Sequence, residues 1–400
     1  MRRRMSGRLP AHGRDRLQGS GRVLPHQPPG RGQAARGAGR KVARRRRTAI
    51  IRIGIVDLLY YSHYPYPSSL PGGLHLVRTT VVGNYPRIGD TFDEQSLRRA
   101  IARFDKGEIS AAELGDAERE VVKAVLREQN DGGINLVTDG QISWYDSQSH
   151  IARRLASVEI NGLARYFDTN TYYRQPVVHG AIAWKEPILV DEWKFAQANS
   201  KAAVKAVLTG PLTLASLALD KHYRKKKPLA VDLANALGEE VSGLVRAGAA
   251  HIQIDEPILT RHPEDLPLAV EGLERIRARK GAAALTLFTY FGEVSKIFEE
   301  LIETPVDAIG LDLVQGAATW SAIAKHGSEK PLVLGLVDAR NTKKEDPAEV
   351  AKKVLGLKDR INLKASFLSP SNGLEFLPRE RAREKLRILS AAARKVGVAA

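Results

Sequence analysis

Eight short, continuous apolar segments recur along residues 78–397, and segments with helical periodicity alternate with most of them. The apolar segments span 78–85, 134–140, 203–210, 251–257, 285–292, 307–316, 331–340 and 361–369. The helical segments span 97–104, 111–130, 229–250, 264–280, 293–303, 317–326, 346–357 and 379–396. Continuous apolar runs are typical of parallel strands buried on both faces, and strands alternating with helices predict an α/β fold. Eight such units predict a (β/α)8 (TIM) barrel over 78–397. A doubly wound sheet is the alternative, but no G-x-G-x-x-G motif follows the first segment.

One segment between the second and third apolar segments breaks this alternation. Residues 166–184 (YFDTNTYYRQPVVHGAIAW) are rich in β-branched and aromatic residues, which favour strands over helices. Two strands joined by a turn fit this composition, and a long insertion between a strand and the next one is often functional. We therefore predict a hairpin or lid inserted over the mouth of the barrel.

The first 50 residues differ in composition from the rest of the chain. They contain 15 Lys and Arg and one acid, Asp15, whereas residues 51–400 contain 47 basic and 44 acidic residues. An Arg-, Gly- and Pro-rich segment without apolar periodicity buries too little surface to offset its ordering entropy. We therefore predict that residues 1–75 are a disordered basic segment. An over-extended reading frame is preferred as its origin over a basic arm or a targeting sequence. Because the remainder is almost neutral, nucleic acid is not an expected partner.

Cysteine is absent from the sequence, and this excludes disulfides, thiolate nucleophiles and Cys-ligated metals in this chain. No run of about 18 apolar residues occurs, so no membrane partner is expected. The ten His form no H-E-x-x-H motif, and neither a Walker A nor a G-x-S-x-G motif is present. These features predict a cytoplasmic protein that binds no metal and no other cofactor itself.

Polar residues stand at the carboxyl ends of most predicted strands, and in a (β/α)8 barrel these ends form the active face. The candidates for this barrel mouth are Tyr85, Arg87, Asp139, Asp255, Glu256, Tyr290, Asp312, Asp338 and Arg340. Adjacent residues of a strand point to opposite faces, so only one of Asp255 and Glu256 faces the barrel centre. We assign catalytic roles to both: Asp255 faces the centre, and Glu256 orients loops or pairs with a base.

The residues alone leave the chemistry of this mouth open. Each single acid also fits the role of a helix N-cap in the loop that follows its strand. As a set, the carboxylates suit glycoside hydrolysis by two acids or the binding of a polar, amine-bearing ligand.

The order of longer motifs is more specific. The chain contains VVGNYPRIGD (81–90), ARYFDTNTYY (164–173), LTGPLTLASLA (208–218), HIQIDEPIL (251–259), GLDLVQG (310–316), GLVDARN (335–341) and SPSNGLEFLPRERAREKL (369–386). In this order the motifs resemble the cobalamin-independent methionine synthase family, over about residues 78–397. The resemblance implies two tandem (β/α)8 barrels and methyl transfer from 5-methyltetrahydrofolate polyglutamate to homocysteine. It also implies that the C-terminal barrel holds zinc and homocysteine and that the N-terminal barrel helps to hold the folate tail.

This chain has one barrel, which is more similar to the N-terminal type. The zinc barrel of the family has His-x-Cys after the fifth strand and a distal Cys, where this sequence has Leu287, Thr289 and Asn372. The resemblance therefore implies a separate, zinc-bearing barrel as partner subunit, with no zinc in this chain. Carried over residue by residue, it implies that Arg98, Arg99 and Arg165 bind the folate tail.

Three other hypotheses remain open at this point. The first is a non-catalytic scaffold barrel that only stabilises the zinc-bearing partner. The second is a carboxylate-dependent barrel enzyme such as a glycosidase, motivated by Asp139, Asp255, Asp312 and Asp338. The third treats the basic segment as a nucleic-acid binder, for which binding would depend steeply on salt.

Overall fold

The computed structural model describes residues 77–399, and the predicted disordered segment 1–75 lies outside the described residues. All eight predicted apolar segments contain strands, and the third contains two that are separated by a single residue. The strands are β1 (Arg78–Thr79), β2 (Leu136–Val137), β3 (Val158–Arg165), β4 (Tyr172–Val178), β5 (Ala203–Val204), β6 (Ala206–Thr209), β7 (Leu219–Asp220), β8 (His251–Asp255), β9 (Ala284–Thr289), β10 (Ala308–Asp312), β11 (Leu332–Val337) and β12 (Phe367–Pro370).

Seven of these strands form one parallel sheet in the order β1-β12-β11-β10-β9-β8-β6. Beyond β1, Thr80 forms a parallel bridge with Leu136 in β2. Strand β2 pairs in parallel with β5, and the backbone N–H of Lys205, between β5 and β6, donates to the carbonyl of Val137 at 3.0 Å. The fold is therefore α/β with a curled parallel sheet, and β6 follows β5 in the chain after the single residue Lys205.

Helices follow most of the strands. They are α1 (Ser96–Asp105), α2 (Ala111–Asp131), α3 (Ser149–Ala152), α4 (Val190–Ala198), α5 (Pro211–Leu217), α6 (Lys226–Arg246), α7 (Leu266–Arg277), α8 (Phe298–Ile302), α9 (Ala317–His326), α10 (Pro347–Leu355) and α11 (Arg379–Ala399). Local chemistry explains several of their ends. A capping box between Ser110 and Glu113 starts α2, and Gly133, with φ of +77°, follows its end. Pro211 starts α5, where its missing N–H costs no hydrogen bond.

The predicted hairpin exists, but its predicted start was wrong. Strands β3 and β4 pair antiparallel from Val158 to Val178, so residues 166–171 form the turn rather than the first strand. The composition argument missed the first strand because this strand mixes apolar and polar residues, has no buried residue and contains Gly162, whose φ is +71°. Strand β7 pairs with β4 and adds a third strand to this small sheet.

Apolar side chains form two separate clusters. The larger one lies between the sheet and the helices, with Ile252 and Ile254 of β8 among its buried members. The smaller, inner cluster contains Val82, Leu136, Phe288, Tyr290, Phe291, Val333 and Phe367. Gly310 on β10 allows this packing, because a Cβ there would lie 2.2 Å from the ring of Phe288. Among residues 77–399, no helix is long and apolar enough to cross a membrane.

Candidate functional site

A row of polar side chains lies inside the sheet, on the face opposite to Ile252 and Ile254. The Nζ atom of Lys205 donates to Oε1 of Gln253 at 2.5 Å, and Nε2 of Gln253 donates to Oδ1 of Asp255 at 2.7 Å. All three residues are buried, so each charged form loses hydration. Burial raises the pKa of Asp255 and lowers the pKa of Lys205, and the opposite charge of each partner counteracts part of this change. We call Lys205, Gln253 and Asp255 the inner row.

Two tyrosines and a glutamate extend the inner row toward the carboxyl ends of the strands. The hydroxyl of Tyr290 donates to Oδ2 of Asp255 at 3.3 Å, and the hydroxyl of Tyr166 is hydrogen-bonded to that of Tyr290. Burial raises the pKa of both tyrosines well above its usual value. The Oε2 atom of Glu375 is buried and has no hydrogen-bond partner among the described residues. Burial and the charge of Asp255 raise the pKa of Glu375 to about 7.

The turn of the hairpin lies over these residues. The ring of Tyr166 packs edge-on against Phe291 with centroids 5.9 Å apart, and the centroid of Phe167 is 5.6 Å from that of Phe291. The guanidinium of Arg340 lies 5.7 Å from the centre of the same ring and donates to the carbonyl of Asp168. The carboxylate of Asp168 also forms an ion pair with Arg261, in the loop after β8. The hairpin is thus attached to two loops at the carboxyl ends of the strands.

Glu256 faces away from the inner row. Its carboxylate accepts hydrogen bonds from the backbone N–H of Leu212 at 2.8 Å, from the backbone N–H of Thr213 at 2.7 Å and from the hydroxyl of Thr213. Gly210 leaves room for this carboxylate, since a Cβ there would lie 2.2 Å from it. Burial raises the pKa of Glu256 to about 7 although these hydrogen bonds favour the charged form. Glu256 therefore caps α5 and positions the loop before it, as one of its two predicted roles requires.

Three other predicted acids accept hydrogen bonds from backbone N–H groups of the loops at the carboxyl ends of the strands. Asp312 accepts from the backbone N–H groups of residues 291, 314 and 315 at 2.9–3.2 Å. Asp338 accepts from the N–H of Arg340 at 2.8 Å, and Asp139 accepts from the N–H of Gln141 at 3.0 Å. Burial raises the pKa of Asp312 and of Asp139 to about 6. These side chains shape the loops around the mouth, and their carboxylates are less available to a ligand.

The two predicted mouth residues after β1 do not join the inner row. The hydroxyl of Tyr85 donates to Glu128 on α2 at 2.9 Å, and Glu128 also forms an ion pair with Arg379. Tyr85 thus points between α2 and α11, which corrects its placement at the mouth. Arg87 donates to the carbonyl of Trp144 at 2.8 Å.

The three arginines predicted for the folate tail lie on two exposed elements. Arg98 and Arg99 are on α1, where Arg99 donates to the carbonyl of Phe92 at 2.6 Å and stacks on its ring at 3.9 Å. Arg165 ends β3, and its Nε donates to the carbonyl of Thr169 at 2.7 Å. Arg99 and Arg165 therefore hold their own loops, while Arg98 is exposed.

Sequence reasoning missed four residues of the site: Lys205, Gln253, Tyr166 and Glu375. A signal existed for two of them, because a lone Lys in AVKAVLTG and a Gln in HIQIDEP interrupt buried strands at positions that face the inside. Tyr166 lies in the turn of the hairpin and Glu375 in a single 3-10 turn (Leu374–Phe376), where no periodicity indicates which way a side chain points.

The residues present do not fit the zinc site that the resemblance implies for a catalytic barrel. The sequence contains no Cys, and Leu287 and Thr289 stand on β9 where that site has His-x-Cys. Within residues 77–399, no three His, Asp or Glu side chains gather in a way that could hold a metal ion. Both carboxylate oxygens of Asp312 accept hydrogen bonds from backbone N–H groups. No chemical step through zinc is therefore assigned to this chain.

Fold and site together define an α/β protein whose candidate ligand site lies at the carboxyl ends of a parallel sheet. Residues 149–362 match the family profile described as "Cobalamin-independent synthase, N-terminal domain". The chain is 34% identical over 316 residues to a methionine synthase of Saccharolobus solfataricus, covering 78% of this chain and 92% of that protein. A methionine synthase of Sulfurisphaera tokodaii is 33% identical over 315 residues, covering 78% and 90%. The chain therefore belongs to the cobalamin-independent methionine synthase family.

A solved structure shows the same fold. It is a B12-independent methionine synthase from Shewanella sp. W3-18-1 in complex with selenomethionine, with a TM-score of 0.68 and 20% identity. The match covers 80% of this chain and 97% of that structure.

Proposed function

We propose that this chain binds 5-methyltetrahydrofolate, as the polyglutamate, for methyl transfer to homocysteine in methionine biosynthesis. A separate zinc-bearing barrel of the same family is the proposed partner subunit. The observation that carries this proposal is the alignment to the Saccharolobus solfataricus methionine synthase, which spans nearly the whole of that protein. The absence of Cys supports the need for a partner, because a zinc thiolate site is how the resemblance implies that homocysteine is activated.

We further propose that the parallel sheet is closed as an eight-stranded barrel, with β5 and β6 acting as one strand. The bridge between Thr80 and Leu136, the pairing of β2 with β5 and the bond from Lys205 N–H to the Val137 carbonyl support this closure. In a closed barrel the inner row lies beneath the mouth, where active sites of this architecture are found.

Within this function, Asp255 is the proposed catalytic residue. The methyl group leaves N5 of the folate and bonds to sulfur, so N5 keeps the electron pair of the broken bond and must take up a proton. A buried carboxylic acid with a raised pKa is protonated to a greater extent near neutral pH than an ordinary Asp, and it is suited to donate that proton. Tyr290 and Gln253 fix the two oxygens of Asp255. Glu256 positions the loop before α5, and we no longer assign it a catalytic role.

The remaining mouth residues fit recognition of an amino-acid-like ligand. Glu375 offers a buried oxygen without a hydrogen-bond partner in residues 77–399, which suits an ammonium group, and the guanidinium of Arg340 suits a carboxylate. Arg98, Arg99 and Arg165 stay the residues proposed by resemblance for the glutamate tail. Of these, Arg98 is the one whose side chain makes no hydrogen bond or ion pair with the rest of residues 77–399.

The test is a reconstitution with the full chain. Binding of 5-methyltetrahydrofolate in mono- and triglutamate forms is measured by calorimetry, and methionine formation by mass spectrometry, with and without a zinc-bearing family barrel. We expect folate binding by the chain and methionine formation only with the partner. Asp255→Asn should abolish methionine formation, whereas Asp191→Asn, with a side chain 94% exposed on α4, should not. If folate binding is absent under both conditions, the folate assignment fails and the scaffold hypothesis replaces it.

A further inference from the structure

The amide of Gln253 fixes which oxygen of Asp255 can carry a proton. Its Nε2 donates to the carbonyl of Val82 at 2.8 Å and to Oδ1 of Asp255 at 2.7 Å, while its Oε1 accepts from Lys205. If the amide turned over, its oxygen would face the Val82 carbonyl and its N–H groups would face the amine of Lys205. Because an acceptor would then face an acceptor, Gln253 keeps one orientation and Oδ1 of Asp255 stays an acceptor. A proton on Asp255 is therefore carried by Oδ2.

A chain of hydroxyl groups leads from Oδ2 of Asp255 toward solvent. The hydroxyl of Tyr290 donates to Oδ2 at 3.3 Å, and the hydroxyl of Tyr166 is hydrogen-bonded to Tyr290 and to the side chain of Ser147. Exposure increases along this chain: Asp255 is 6% and Tyr290 8% exposed, whereas Tyr166 and Ser147 are partly exposed. The chain thus crosses from the end of β9 to the turn of the hairpin and to the loop before α3.

The other groups near Asp255 offer no comparable connection. On the side of Oδ1, Nε2 of Gln253 donates to two acceptors, and Lys205 behind it is buried. Glu375 raises the pKa of both tyrosines through its charge, but no hydrogen bond joins it to Asp255 or to either tyrosine within residues 77–399. The hydroxyl chain is therefore the connected path from Oδ2 outward.

We propose that Tyr290, Tyr166 and Ser147 form a proton relay between solvent and Oδ2 of Asp255. The relay rests on the proposed function, in which Asp255 gives its proton to N5 of the folate and becomes a buried carboxylate. Oδ2 then takes the proton of Tyr290, Tyr290 takes that of Tyr166, Tyr166 takes that of Ser147, and Ser147 takes one from solvent. Each O–H bond that breaks is replaced by one that forms, and the thiol proton that homocysteine releases balances the proton taken up.

The two tyrosines pass the proton without storing charge. Burial raises the pKa of both, so an ionised tyrosine is disfavoured and transfer in concert is favoured. Tyr290 and Tyr166 are therefore relay residues that act through Asp255, and the folate does not need to contact them.

The first test uses the full chain alone, without folate. The C=O stretch of protonated Asp255 is the infrared band that Asp255→Asn removes. Mixing with D2O at pH 5, where the raised pKa keeps Asp255 neutral, shifts this band as the carboxyl proton exchanges. We expect Tyr290→Phe and Tyr166→Phe, which remove only a hydroxyl group, to slow the exchange about tenfold or more. Tyr172→Phe is the matched control, because Tyr172 is 60% exposed on β4 and its hydroxyl forms no hydrogen bond within residues 77–399.

The second test measures turnover in the reconstitution with the zinc-bearing barrel. Both tyrosine variants should lower kcat about tenfold or more and leave the KM for the folate unchanged. Imidazole, a small proton donor, should restore part of the lost kcat, because it replaces the relay and not the fold. A loss of kcat that imidazole does not restore would mean that the tyrosines only shape the mouth.

Three results of the exchange test would overturn the relay. One is unchanged exchange in a folded Tyr290→Phe protein, with circular dichroism as the check of folding. Another is equal slowing by Tyr172→Phe, which would show that the effect is not specific. The third is slowing by Glu375→Gln and by neither tyrosine variant, which would place the path at Glu375. Because the exchange test needs neither folate nor partner, failure of the folate assignment leaves it intact.

Discussion

The Nζ atom of Lys205 donates a hydrogen bond of 2.5 Å to Oε1 of Gln253, inside the sheet and away from solvent. Nε2 of Gln253 in turn donates a hydrogen bond to Asp255. The side-chain amide of Gln253 therefore links Lys205 to Asp255, and no direct hydrogen bond joins these two residues. The inner row thus holds two groups whose charged forms are both disfavoured by burial.

This arrangement predicts an effect of Lys205→Met on stability that depends on pH. The raised pKa of Asp255 favours its neutral form at pH 5, where Lys205 is then a buried cation with no ionised partner. Removing that cation should stabilise the fold at pH 5 by roughly 1–3 kcal/mol. At pH 8.5 the lowered pKa of Lys205 favours its neutral form, so the wild type no longer holds a buried cation and the gain should be smaller. Urea unfolding at both pH values measures this, with exposed Lys194→Met as control. An effect of Lys205→Met that does not depend on pH would contradict the linkage.

Glu375 predicts a second pH dependence. Its pKa is raised to about 7 in the folded protein, so the folded state binds a proton more tightly than the unfolded state. The neutral group contributes fully at low pH, and wild-type stability should fall as pH rises from about 4.5 through about 7. Glu375→Gln removes this loss and should be more stable than wild type at pH 8.5, by up to about 3 kcal/mol, and similar to it at pH 4.5. Equal stability of the two proteins at pH 8.5 would show that Glu375 is not held in an unfavourable environment.

The sequence indicated the strands and most helices because burial requires apolar residues in continuous runs on strands and at helical spacing on helices, and both patterns are visible in a single sequence. Each of the eight apolar segments contains strands, and the alternation of side chains on β8 explains why Asp255 faces inward while Glu256 does not. Features that depend on contacts between distant segments were missed. The sequence predicted Tyr85 as a mouth residue, whereas in the structure its hydroxyl donates to Glu128, which is 43 positions away in the chain. Arg87, Arg153 and Arg174 lie around the ring of Tyr145. They are likewise separated in the sequence, so no sequence motif indicates that they meet.

Glu256→Ala tests whether this residue is structural. The substitution leaves the backbone N–H groups of Leu212 and Thr213 buried without an acceptor, and it opens a cavity beside Gly210. We expect a loss of roughly 2–5 kcal/mol in the free energy of unfolding. Glu239→Ala is the control, because Glu239 is 42% exposed and forms only a surface ion pair with Arg279, which predicts a change below about 1 kcal/mol. A Glu256→Ala protein of normal stability would return this residue to the list of catalytic candidates.

Asp168→Ala should loosen the hairpin over the mouth. The variant removes the ion pair with Arg261, while the bond from Arg340 to the Asp168 carbonyl and the contacts of Tyr166 and Phe167 with Phe291 remain. An exposed ion pair contributes little to global stability, about 0–1 kcal/mol, so the effect should be local. Hydrogen exchange should become faster in residues 158–178 and stay unchanged in β8 to β11. Asp191→Ala, on α4, should change neither region. Slow exchange in 158–178 of the Asp168→Ala protein would show that the aromatic contacts alone hold the hairpin.

The last prediction concerns metal. The chain lacks Cys, and Leu287 and Thr289 occupy the places where the resemblance puts zinc ligands, so the purified protein should contain no stoichiometric zinc. A structural zinc ion contributes folding free energy directly, and its removal would lower the melting temperature. We therefore expect EDTA to leave the Tm of this chain unchanged, while the zinc-bearing partner barrel, treated in parallel, loses metal and activity. Elemental analysis gives the metal content of both proteins independently of activity. One tightly bound zinc per chain, released together with a drop in Tm, would mean that His, Asp or Glu side chains form a site, and the division of labour between two barrels would have to be abandoned.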